Sequence, residues 1–115
     1  SVDGGCILNE AKARSALATA CHQAASSTLY EKIEWDRGIP DSAKALGYSF
    51  LPLSQSPDLR IDFLWNDSSV PKGIGELPFM AIPPAITQAV AQACGQTVST
   101  VPLDTETILG LLEGE

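Results

Sequence analysis

A chain of 115 residues with 44% hydrophobic and 18% charged content has the size of one domain and the composition of a folded globular protein rather than a disordered one. With 14 acidic residues against 7 basic ones the net charge is -7, and seven scattered cations do not make the concentrated positive field that nucleic acid or an anionic membrane surface requires. No run approaches the ~18 apolar residues of a membrane span and no signal segment is visible, which leaves the compartment open.

Three cysteines, Cys6, Cys21 and Cys94, are odd in number, widely spaced and without a C-x-x-C pair, so they read as buried thiols rather than a disulfide framework, a zinc site or a redox motif. His22 is the only histidine. A nucleophilic triad or a zinc centre would rest on it alone, and it reads as a structural histidine. No metal ligands are expected from this chain.

The opening "SVDGGCILNE" (1–10) reads as a strand in mid-flow, a turn and a helix start, with Asn9 as N-cap and Glu10 in the first turn. So abrupt a start suggests a piece of something longer. From Glu10 to about Thr28 the alanine-rich run, free of glycine and proline, predicts a helix. Ala13, Ala16, Leu17, Ala20, Cys21 and Ala24 form a narrow face that lets another backbone come close, which suits tight packing on a sheet.

"LYEKIEW" (29–35) alternates like a strand, "DRGIPDS" (36–42) is turn chemistry, and "LGYSFLPL" (46–53) suits a short strand ending at Pro52. "LRIDFLW" (59–65) is the clearest half-buried strand, with Leu59, Ile61, Phe63 and Trp65 on one side against Arg60 and Asp62 on the other. A second helix is expected over Pro83–Cys94, with prolines at its first positions and Gly95 as its stop. A third starts near Asp104, with Ile108, Leu109, Leu111 and Leu112 facing inward. The order of elements predicts an α+β fold over residues 1–115 as a single domain, a small antiparallel or mixed sheet with helices packed on one face as a two-layer sandwich.

Within "NDSSVPKGIGELP" (66–78), Gly73 and Gly75 flank Ile74 and precede a lone carboxylate, Glu76, just ahead of the most hydrophobic segment. The glycines would let the backbone take positive φ and lie close to another group. A G-x-G without a third glycine is not a dinucleotide fingerprint. Glu76 is either an ordinary solvated loop residue or a carboxylate held against something reactive.

Four ordered stretches carry a resemblance to a known family. "VDGGCILN" (2–9) is similar to its Val-Asp-Cys-Gly stretch with the following Asn-Pro, "PKGIGE" (71–76) to its Gly-x-Gly-Glu loop, and "PPAITQAVAQACG" (83–95) with "VPLDTETIL" (101–109) to the helix and tail that follow. The chain resembles, nearly end to end, the carboxyl-terminal part of the molybdenum-binding large subunit of the xanthine dehydrogenase and aldehyde oxidase family, in its isoquinoline 1-oxidoreductase branch. It departs at Ala16–Thr19, where the family has Gln-x-Glu-Gly, and at Leu77, where proline commonly follows the glutamate.

The resemblance implies a domain or fragment of a molybdenum hydroxylase that oxidises an aldehyde or N-heterocycle with water as the oxygen source. Glu76 would be the catalytic general base, and Gly73 and Gly75 would lie at the cofactor. It implies molybdopterin in the complete enzyme, with the cytosine dinucleotide form as one option, and no cofactor or activity in the isolated chain. The partners implied are the remainder of the molybdenum-binding subunit and an iron-sulfur electron-transfer subunit. The alternative is a non-catalytic stand-alone binding or assembly module with the same fold.

Overall fold

The computed structural model describes residues 1–40, 48–64 and 69–114. Helix α1 spans Glu10–Leu29. It begins at the expected cap: Asn9 is extended, and its side-chain oxygen accepts the Lys12 amide at 3.0 Å, satisfying one of the donors that a helix start leaves without a partner. Leu17, Ala20, Ala24 and Ala25 are buried on its inner face, while Ala16 is exposed.

That face meets helix α2, Leu77–Cys94, and the small side chains let the two helices approach closely. The core is completed by Leu51 and Leu103, which come from segments without regular structure. Both are fastened to the end of α1. The Leu51 amide donates to the buried hydroxyl of Ser26 at 3.0 Å, and the Leu103 amide donates to the Thr28 carbonyl at 2.7 Å.

Strands β1 (Trp35–Asp36) and β2 (Ile39–Pro40) pair antiparallel, Trp35 opposite Pro40 and Asp36 opposite Ile39. Arg37 and Gly38 make the two-residue turn at φ 49 and 82, both left-handed as a tight hairpin of this length requires. The turn is where the sequence puts it, but residues 31–34 of the expected 29–35 strand form no strand, and Leu29 still belongs to α1. Alternation gives an extended chain; a strand also needs a partner edge.

The same reason applies at 59–65. The described residues of that run form no named strand; Phe63 makes a single parallel bridge to Val2, with the Val2 amide donating to the Asp62 carbonyl and the Leu64 amide to the Val2 carbonyl, each at 2.8 Å. Arg14 of α1 supplies the other attachment. Its guanidinium reaches the Ile61 carbonyl and lies 5.1 Å from the centre of the Phe63 ring while pairing with Glu10 one turn earlier. Residues 48–52 of the expected 46–53 strand are irregular and lead into a 3-10 turn at Leu53–Gln55; residues 41–47 and 65 lie outside the described ones.

Helix α2 starts six residues earlier than its prolines suggest. Pro83 and Pro84 lie inside it, where they cannot offer the N–H that would reach the carbonyls of Phe79 and Met80, a defect that costs roughly 3 kcal/mol per interior proline and that packing on α1 offsets. Gly95 ends it at φ 68. Helix α3, Thr105–Glu113, is capped by Asp104. Among the described residues, three α-helices and a two-stranded antiparallel sheet make a small α+β fold.

Candidate functional site

The stretch that carries Glu76 is entered through a short antiparallel pairing with the start of the chain. The Cys6 amide donates to the Val70 carbonyl at 3.2 Å and the Lys72 amide to the Gly4 carbonyl at 2.9 Å, with Gly5 opposite Pro71. Pro71 therefore occupies the one place in this pairing where a missing N–H costs no bond. Gly5 sits at φ 61, and a Cβ there would run into the Val70 carbonyl, so only glycine fits.

Asp3 holds this corner from two sides. Its Oδ1 accepts the Gly5 amide at 3.0 Å, and its Oδ2 pairs with the Lys72 ammonium. Both side chains are partly exposed, so the ion pair contributes at most about 1 kcal/mol; its use is to set direction. These supports were visible in the sequence only as a paired glycine after an aspartate.

Gly73 and Gly75 lie exposed on either side of half-buried Ile74. Neither adopts the positive φ that the sequence suggests, because the bend is made instead by the helix start that follows. A Cβ at either position would meet nothing within 4 Å, so one side of the loop backbone is open to an approaching group.

Glu76 follows as the N-cap of α2, at φ -94 and ψ -5, and is exposed. Its carbonyl accepts the Phe79 amide at 3.1 Å, and the Ile74 carbonyl accepts the Leu77 amide at 3.4 Å. The Glu76 side chain makes no capping bond. Asn9 and Asp104, at the starts of α1 and α3, each turn their side chains back onto their helices. Among the N-caps of the described α-helices, Glu76 is the one whose side chain is uncommitted to its helix. Beside it, Leu77, Phe79 and Met80 are exposed on the first turn of α2, Met80 to 77%.

The remaining chemistry-bearing groups are engaged in structure. His22 Nε2 lies 3.0 Å from the Leu51 carbonyl and Nδ1 lies 3.1 Å from the Ser56 hydroxyl. A carbonyl only accepts, so Nε2 carries the proton and Nδ1 takes the serine's hydrogen. The third member is a carbonyl rather than a carboxylate, and the group works as a clamp between α1 and residues 51–56. The three cysteines are free and half-buried, and burial pushes the Cys21 thiol above its usual value. Among the described residues no three of His, Cys, Asp and Glu gather to hold a metal ion, and no helix is long and apolar enough to cross a membrane.

No family model matches the chain. It is 25% identical over 103 residues to an isoquinoline 1-oxidoreductase subunit beta from Brevundimonas diminuta, covering 90% of this chain and 13% of that protein. It is 28% identical over 114 residues to a membrane-bound aldehyde dehydrogenase, named with pyrroloquinoline quinone, from Gluconacetobacter polyoxogenes, covering 98% and 15%. The crystal structure of quinoline 2-oxidoreductase from Pseudomonas putida 86 superposes with a TM-score of 0.84 at 27% identity over 96% of this chain and 15% of that one. A Cu,Mo-CO dehydrogenase shares the fold, with a TM-score of 0.83 at 20% identity over 97% and 15%. The chain thus spans about a seventh of the length of the proteins it matches.

Proposed function

Because the chain fits part of the molybdenum-binding large subunit of the xanthine dehydrogenase and aldehyde oxidase family, we propose that it contributes Glu76 as the general base of a molybdenum hydroxylase. The observation that carries this reading is the uncommitted carboxylate of Glu76 at the head of α2, beside two glycines whose open side leaves room for a bound group. When bound, the molybdenum cofactor supplies a two-electron acceptor for oxidation of an aldehyde or N-heterocycle with water as the oxygen source.

Glu76 takes up a proton on its carboxylate as the water-derived oxygen adds to the electrophilic carbon. Because its backbone is fixed as a helix cap, the base is presented from a rigid element and little of its reach is lost to loop motion. Gly73 and Gly75 form the edge along which the cofactor lies, the cytosine dinucleotide form of molybdopterin being the form proposed. Leu77, Phe79 and Met80 lie against the remainder of the subunit, and an iron-sulfur subunit takes the electrons onward. One carboxylate loop does not hold such a cofactor, so residues 1–115, the single carboxyl-terminal domain of this reading, are inactive and free of molybdenum when isolated.

The complete enzyme tests the proposal directly. Molybdenum bound per chain, loss of turnover in Glu76→Gln and absence of a quinone cofactor are the expected results. Quinone in place of molybdenum would assign the activity to the chemistry named for the Gluconacetobacter relative. Metal-loaded Glu76→Gln enzyme with full turnover would return the chain to a non-catalytic binding or assembly role.

A further inference from the structure

The loop that presents Glu76 has one anchor of its own. Between the exposed Gly73 and Gly75, only Ile74 is half-buried. Its neighbour across the fold is Gly4, which is buried: a Cβ built there would lie 3.2 Å from Ile74 Cγ2 and would also run into Ile7 Cδ1. Residue 4 therefore leaves a notch, and the Ile74 methyl occupies its rim.

Both sides of this contact are held by further bonds. Gly4 is fixed by its carbonyl, which accepts the Lys72 amide, and by the Gly5 turn with its Asp3 bond; the Ile74 carbonyl takes the first amide of α2, that of Leu77. Since Ile74 stands two residues before Glu76, a displacement at the notch passes to the carboxylate through one glycine, whereas a Cβ at Gly73 or Gly75 would meet nothing within 4 Å.

We infer that Gly4 and Ile74 are positioning residues for Glu76, a methyl-in-notch contact that sets where the carboxylate stands. The inference rests on the reading of Glu76 as the base. It predicts that the Cγ2 methyl matters and the rest of the isoleucine side chain does not: Ile74→Val retains the methyl, and Ile74→Ala loses it.

In the complete enzyme, kcat and KM are measured per bound molybdenum for Ile74→Val, Ile74→Ala and Gly4→Ala, together with hydrogen exchange at the Leu77 amide. Expected are near-unchanged values for Ile74→Val, a fall of about 10- to 100-fold in kcat with little change in KM for Ile74→Ala, and a smaller fall for Gly4→Ala. Exchange at Leu77 speeds up in Ile74→Ala and Gly4→Ala and not in Ile74→Val. Unchanged exchange in Ile74→Ala overturns the anchor whatever Glu76→Gln does, and faster exchange with intact kcat, in an enzyme that Glu76→Gln inactivates, overturns its catalytic use. Full turnover in Glu76→Gln with faster exchange in Ile74→Ala sinks the base and supports the anchor.

Discussion

Nε2 of His22 donates to the carbonyl of Leu51 at 3.0 Å, binding the middle of α1 to a buried leucine that lies 29 residues away in sequence. Removing the imidazole strands that carbonyl in a partly buried place and frees the Ser56 hydroxyl as well. His22→Ala should lower stability by about 1–3 kcal/mol, the cost of a buried polar group left without its partner. Denaturant titration reads it, and unchanged turnover in the complete enzyme separates this clamp from a catalytic histidine.

For Glu76, the expected change is in rate alone. Glu76→Gln keeps shape and polarity but cannot accept the proton, so kcat should fall by the ~10²–10⁴ that general-base catalysis supplies. Because the side chain caps nothing, thermal stability and molybdenum content should stay as they are. Glu31 and Asp62 are the controls: replaced, each should leave turnover within a few-fold.

Acid should reveal Asp104. Hydrogen bonds from the Thr107 amide at 2.8 Å and hydroxyl at 2.7 Å, with Lys32 at 3.5 Å, hold its carboxyl below the usual carboxylate value. A depressed native value contributes stability above the unfolded carboxyl's titration near ~3.9 and loses it as pH falls through the lower native one. Asp104→Ala should therefore cost about 0.5–2 kcal/mol at neutral pH, and the gap to the parent should shrink below about pH 4. A gap that is constant down to strong acid would show that the charge is irrelevant.

Alkali should reveal Tyr48. Its hydroxyl donates to Glu31 at 2.9 Å, and that bond, with burial and the negative charge beside it, raises the phenol above its ordinary value. The folded state favours the protonated phenol, so its contribution is present below the unfolded value near ~10 and is lost as pH rises through the native one. Ultraviolet titration should show Glu31→Ala lowering the Tyr48 transition.

Gly5 should separate from Gly73 and Gly75. Gly5→Ala meets both the left-handed strain, about 1–2 kcal/mol, and the Val70 carbonyl, and should destabilise by at least that amount. Gly73→Val and Gly75→Val meet open space and should leave the fold within about 1 kcal/mol, yet lower molybdenum content in the complete enzyme if the cofactor lies along that edge. Melting temperature and metal analysis on the same preparations give both answers.

Caps and breakers made the helices legible. Asn9, Asp104 and Gly95 act through bonds within four residues of themselves, and each works where the sequence places it. What depends on a distant partner was not readable. "LRIDFLW" alternates as a strand should, but whether it joins a sheet depends on Val2, some 60 residues away, which offers one bridge. Pro83 and Pro84 argue locally for a helix start, yet the helix runs back to Leu77, with Pro78 buried in its first turn. The same extension turned Glu76 from a loop residue into a cap. At Gly73 and Gly75 the unusual dihedral angles that the sequence suggests are not adopted, and what the two positions share is open space on one side.

The first six residues touch the chain on both sides of 65–68: Val2 is bonded at 62 and 64, while Gly4 and Cys6 are bonded at 72 and 70. Such a brace acts as a mechanical ground. A displacement carried along the chain from Asp62 or Leu64 is taken up by the first six residues, so the head of α2 and the Asp62–Leu64 segment share one footing rather than leaning on each other.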